Sequence, residues 1–190
     1  DPPVNRLASW LGGSGVGADA FSLGGFGLGV AGAAALASDH PPLALALFLA
    51  NRLADGLDGA LARLSQPSDR GGFLDIVLDF VVYALMALAF AIRDPAAVLP
   101  AAFLLASFMG TGSSFLAYAI FAAKRGQSTE LRGRKSFYHL GGLTEGTETI
   151  LFFTACLLLP GWFPLLAWIF GAACWLTTLG RVAAGWRDFA

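Results

Sequence analysis

Asp55, Asp58, Asp75 and Asp79 fall within one otherwise apolar stretch, NRLADGLDGALARLSQPSDRGGFLDIVLDF. Carboxylates gathered in this way can bind hard cations or exchange protons with a substrate. At about 100° per residue, Asp55, Asp58, Gly59 and Ala62 share a helix face about 100° wide. Gly59 and Ala62 are the small positions on that face, so a bulky ligand can approach the backbone. Gly71, Asp75 and Asp79 follow at i, i+4 and i+8 and form a second stripe. Two acidic stripes joined by a short connection are expected to face each other. An all-carboxylate donor set suits Mg²⁺ or Mn²⁺, whereas zinc favours His or Cys. His40 and His139 are not spaced to join such a site. The competing account is neutralisation by Arg52, Arg63 and Arg70. Arg52 and Arg70 are expected in the lipid headgroup region, which leaves the acids short of counter-charge.

These stripes must be carried by elements suited to a greasy environment. Of 190 residues, 56% are hydrophobic and only 13% charged, whereas a soluble domain carries about twice that share of charge. A transmembrane helix needs about 20 largely apolar residues. Runs of that kind lie near 20–38, 42–62, 73–93, 97–123, 138–160 and 162–181. They are separated by SDHPP, SQPSDRGG, RDPAA, the polar stretch from Lys124 to Lys135, and LPGWFP, where Pro and Gly end helices. The expected fold is an all-α integral membrane protein with six transmembrane helices, forming a single membrane domain over residues 1–190. Ahead of them, Val4, Leu7, Trp10 and Leu11 have the spacing of a short interfacial helix, with a disordered leader as the alternative.

With six spans, every basic residue except Arg93 falls on the side that holds both termini, and the positive-inside rule makes that side cytoplasmic. The acidic stripes then open toward the cytoplasm. No cleavable signal peptide is expected, because its three regions are not lined up in the first thirty residues. The first residue, Asp1 rather than Met, is consistent with a trimmed N-terminus. A net charge of −1 argues against a nucleic-acid partner, which needs clustered basic excess. Cys156 and Cys174 lie in apolar runs, where packed, reduced thiols are expected rather than a disulfide.

The stretch from Asp55 to Asp79 resembles the signature of the CDP-alcohol phosphotransferase (CDP-alcohol phosphatidyltransferase) family, D-x2-D-G-x2-A-R-x7-G-x3-D-x3-D. All eight fixed positions match: Asp55, Asp58, Gly59, Ala62, Arg63, Gly71, Asp75 and Asp79. KSFYHLGGLTEGTETI is similar to uncharacterised bacterial members. The resemblance implies transfer of a substituted phosphate from a CDP-linked donor to an alcohol with release of CMP, in phospholipid synthesis. It implies Mg²⁺ or Mn²⁺, two ions, held chiefly by Asp55, Asp58 and Asp75. Asp79 would both ligate metal and act as catalytic base. Gly59, Ala62, Arg63 and Gly71 would form the nucleotide side of the site. CDP-diacylglycerol is the favoured donor, with a CDP-choline or CDP-ethanolamine type and a lipid acceptor as the alternative. The family also suggests a homodimer, and the bacterial inner membrane is the expected location.

Further along the chain, Glu145 and Glu148 fall in the fifth run, and intramembrane glutamates usually face a protein interior. They are expected to line an acceptor pocket for a neutral polyol or an amino alcohol. Protonated glutamates bonded to a neighbouring helix are the plainer alternative. Arg134 and Lys135, at the entrance to that run, either bind a phosphate or simply anchor the helix at the membrane surface. GTGSS, Gly110 to Ser114, is expected to serve close helix packing. A divalent-cation transporter would also use intramembrane acids, but the acids cluster at one surface and DGLDG has no inverted repeat.

Overall fold

A computed structural model describes residues 18–64, 69–126, 144 and 146–190, with the side chains at 18–21 and 58–64 excepted. The segment expected as an interfacial helix lies outside these residues. Helices account for nearly all of the described chain, and no strand is present among the described residues. The helices are α1 (Ala18–Ala37), α2 (Pro41–Leu64), α3 (Asp69–Arg93), α4 (Val98–Lys124), α5 (Gly146–Leu158) and α6 (Phe163–Asp188). Short 3₁₀ turns occupy Pro95–Ala97 and Pro160–Trp162. The chain divides into two compact units, one ending at Pro95 and the other beginning at Ala96.

Among the described residues, three helical stretches are long and apolar enough to cross a membrane: Asp69–Arg93, Pro95–Lys124 and Pro160–Asp188. Two more, Ser22–Ala37 and Gly146–Leu158, are apolar but shorter. α2 has ample length at 24 residues, but from its middle onward it carries Asn51, Arg52, Asp55, Asp58 and Arg63. The helix order follows the six apolar runs, while α5 starts later than the run that contains it.

In the first unit, α1 packs on both α2 and α3. Its sequence is poor for a free helix, since each Gly costs about 1 kcal/mol relative to Ala. Glycine instead lets neighbouring backbones approach. A Cβ added at Gly25 would lie 3.0 Å from Ala54 Cβ, and one at Gly29 would lie 2.6 Å from Val82 Cγ2. Phe48, Val82, Met86 and Phe90 are fully buried in this unit. In the turn after α1, Asp39 adopts φ 60°, a left-handed helix stop open to short polar residues. Pro41 and Pro42 then start α2, where their missing N–H groups cost nothing. Arg93 Nε donates to Asp39 Oδ1 at 2.7 Å, tying the α1–α2 turn to the far end of α3. The aspartates of α3 sit toward its other end, where Asp69 in the first turn complements the helix dipole.

In the second unit, α4 packs on α6, and α5 also touches α6. A Cβ at Gly110 would stand 3.0 Å from Thr178 Oγ1 and 3.1 Å from a Trp175 ring carbon. Thr111, Ser113 and Ser114 each donate to the carbonyl three residues earlier. GTGSS is therefore a packing element whose hydroxyls are satisfied within the helix, as expected. Phe152 stacks on Phe170 with ring centroids 4.5 Å apart. Cys156 and Cys174 are free and buried.

Gly29→Leu should force α1 away from α3 and lower stability by about 1–3 kcal/mol, the usual cost of overpacking. Gly24→Leu, where nothing lies within 4 Å of an added Cβ, should leave stability unchanged. Thermal unfolding of the two variants in detergent checks the difference.

Candidate functional site

The acidic stripes of α2 and α3 meet at a cleft within the first unit. Asp55, Asp75 and Asp79 line it, and Ser22 and Phe26 of α1 contribute another part of its wall. Asp55 of α2 and Asp75 of α3 thus face the same space. Asp75 is exposed, while Asp55 and Asp79 retain 33% and 29% side-chain exposure. The carboxylates thus reach the mouth of the cleft rather than lying sealed within the unit.

Arg52 departs from its expected position in the headgroups. Its side chain is only 7% exposed, and Nη1 stands 2.8 Å from Asp79 Oδ1 and 3.8 Å from Asp55 Oδ2. The reason is helical register. Arg52 lies one turn before Asp55 on α2, and burial of the guanidinium becomes favourable once α3 supplies a carboxylate and a phenol. Nη1 also donates to the Tyr83 hydroxyl at 2.9 Å, and the guanidinium stands over the Tyr83 and Phe48 rings. Arg52 Nε donates to Asn51 Oδ1 at 2.8 Å. Asn51, itself buried, donates through Nδ2 to the Gly25 carbonyl of α1, also at 2.8 Å.

Asn51, Arg52 and Tyr83 therefore join a site that sequence reasoning confined to the aspartates and their small neighbours. A signal for Tyr83 was present, because it continues the i+4 series Gly71, Asp75, Asp79. Asn51 and Arg52 form a polar pair inside an apolar run, which in a membrane helix calls for internal partners.

The remaining sequence-derived residues are placed less fully. Asp58, Gly59, Ala62 and Arg63 lie on the last turns of α2, and their side chains fall outside the described set. Gly71 is in the first turn of α3. Among the described residues, no three ligating side chains converge closely enough to hold a metal, and the fourth carboxylate, Asp58, is outside that count. Arg134, Lys135 and Glu145 lie outside the described residues. Glu148 is exposed in the first turn of α5, where a carboxylate complements the helix dipole.

Residues 17–180 match the family model described as CDP-alcohol phosphatidyltransferase. The chain is also similar to inner membrane protein YnjF of Escherichia coli (strain K12). The two are 49% identical over 186 residues, covering 97% of this chain and 90% of that protein.

Asn51→Leu should leave Arg52 Nε without its buried acceptor and remove the link to α1. An unmet hydrogen bond of this kind costs about 1–3 kcal/mol. Thermal unfolding in detergent should show that loss, and a wild-type melting temperature would remove Asn51 from the network.

Proposed function

The chain belongs to the CDP-alcohol phosphatidyltransferase family, and is thus a transferase; we propose that it moves a phosphatidyl group from CDP-diacylglycerol to a small alcohol and releases CMP. The observation that carries this reading is the cleft itself. Carboxylates from two helices line it in register with a motif matched at all eight fixed positions.

Members of the family generally depend on a divalent metal, and the donor set here fits one. Asp55, Asp75 and Asp79 line one cleft and offer only hard oxygen ligands. Asp58 completes the set, and Asp55, Asp58, Asp75 and Asp79 together would hold two Mg²⁺ or Mn²⁺ ions. When bound, such ions neutralise the donor pyrophosphate and polarise the reacting phosphorus. Asp79 takes the proton from the acceptor hydroxyl. The acceptor oxygen then bonds to the phosphatidyl phosphorus as the bond from that phosphorus to the CMP oxygen breaks. Gly59, Ala62 and Gly71 leave room for the nucleotide, and Arg63 meets its phosphate.

A lipid donor explains why the site belongs to membrane helices. The acyl chains remain in hydrocarbon while the cytidine reaches the aqueous surface. The basic residues favour six spans with both termini and the cleft on the cytoplasmic side, and the similarity to an inner membrane protein supports that membrane. The match over residues 17–180 supports one functional domain built from both compact units, and the family resemblance supports a homodimer. We assign acceptor recognition to Glu145 and Glu148, with Arg134 and Lys135 as phosphate-contacting residues. Carboxylates beside the acceptor would favour a neutral or cationic alcohol, because a second phosphate beside an ionised glutamate is repelled.

Purified protein given CDP-diacylglycerol, Mn²⁺ and a panel of alcohols should form one new phospholipid and CMP, detected by mass spectrometry. Turnover with CDP-choline or CDP-ethanolamine and diacylglycerol alone would replace the assigned donor. Asp79→Asn should lower kcat by at least about 100-fold, as loss of a general base does, while retaining donor binding. Asp75→Asn should lose metal-dependent binding of CDP as well, and full activity in either variant would contradict its role. Glu148→Gln should change the acceptor KM more than the donor KM. A phosphate ester as best acceptor would overturn the assigned selectivity.

A further inference from the structure

A buried arginine held against a carboxylate of the site has no place in the family signature, yet its surroundings are highly specified. Arg52 uses separate nitrogens for separate partners. Nε donates to Asn51 Oδ1, while Nη1 meets Asp79 Oδ1 and the Tyr83 hydroxyl. Asn51 is in turn fixed to the Gly25 carbonyl. The guanidinium lies 5.1 Å from the Tyr83 ring centroid and 5.8 Å from that of Phe48. All three helices of the first unit therefore contribute to holding one cation at 7% exposure.

We propose that Arg52 is the positioning residue of Asp79, holding Oδ1 from behind so that Oδ2 is presented to the cleft. The proposal rests on the assignment of Asp79 to the reaction. A carboxylate on a helix has rotational freedom at two side-chain torsions, and an ion pair to one oxygen removes much of it. The arginine fork suits this task because it is planar and its donors point in fixed directions. A lysine could keep the charge near Asp79, but could not also hold Asn51 in the same geometry. The 3.8 Å approach of Nη1 to Asp55 Oδ2 extends the effect across both acidic stripes. The same cation offsets the repulsion that would otherwise drive the two stripes apart.

Support shells of this kind typically contribute about 10- to 100-fold to metal affinity or activity. Mn²⁺ binding to purified protein, followed by electron paramagnetic resonance, gives a readout independent of turnover. Arg52→Gln should weaken Mn²⁺ affinity and lower kcat, each by about 10- to 100-fold, with Arg52→Lys between the variant and wild type. Tyr83→Phe should move both quantities in the same direction by less, and should add little in the Arg52→Gln background, because coupled residues are not additive.

Unchanged or tighter Mn²⁺ binding in Arg52→Gln would overturn the proposal, since the arginine would then be a bystander or a competitor of the cation. Full additivity with Tyr83→Phe would overturn it too. If Arg52→Gln does not fold, Tyr83→Phe alone decides: wild-type Mn²⁺ affinity and kcat in that variant reject the positioning role. An active Asp79→Asn enzyme would instead reject the assignment of Asp79. An inactive Asp79→Asn enzyme beside a wild-type-like Arg52→Gln enzyme would reject only the role of Arg52.

Discussion

Carboxylates on membrane helices are expensive, at about 3 kcal/mol each even on a lenient insertion scale, and carboxylates set close together also repel one another. The first unit is organised around that cost. Asp55, Asp75 and Asp79 are kept at the mouth of a cleft, where water still reaches them. Arg52 supplies a counter-charge from the buried side. That arrangement requires α2 and α3 to be held in one register, and α1 provides the surface against which both are set. Its glycines at 25 and 29 permit the approach, and Asn51 fastens α2 to the α1 backbone. The Arg93–Asp39 pair ties α3 to the α1–α2 turn at the other end, away from the cleft.

The second unit meets a comparable problem by different means. Arg181 is buried. It donates to the Thr111 carbonyl at 3.1 Å and stands over the Phe115 ring. Thr144 and Thr177 pair their hydroxyls at 3.1 Å, and Thr178 returns its hydrogen bond to the Cys174 carbonyl. Beyond the apolar part of α4, Arg125 donates to the Asp188 and Phe189 carbonyls, closing the end of α6 onto α4. Backbone carbonyls and a ring face are among the partners of these donors.

The parts of the molecule most legible from sequence were those set by helical period alone. Aspartates at i, i+4 fall on one face whatever the tertiary packing, so a cleft lined by Asp55, Asp75 and Asp79 could be anticipated from their spacing. The helix order was legible for the same reason, because apolar runs and Pro–Gly breaks are local. Arg52 was not, since its burial depends on Tyr83 and Asp79 reaching it from another helix. The docking role of Gly25 and Gly29 was missed because a glycine-rich run reads equally well as a weak helix or a close-packed one. The difference lies in Ala54 and Val82, more than twenty residues away along the chain. α5 begins beyond the start of its apolar run because hydropathy locates apolar sequence rather than the first helical hydrogen bond.

The most direct test of the account uses an acceptor alcohol carrying ¹⁸O in its hydroxyl, together with CDP-diacylglycerol, Mn²⁺ and the purified protein. If the acceptor oxygen attacks the phosphatidyl phosphorus, the label is retained in the new phosphodiester of the lipid product, and the CMP released with it is unlabelled. Label recovered in a cytidylylated alcohol, with phosphatidic acid as the second product, would place the attack on the other phosphorus and contradict the account.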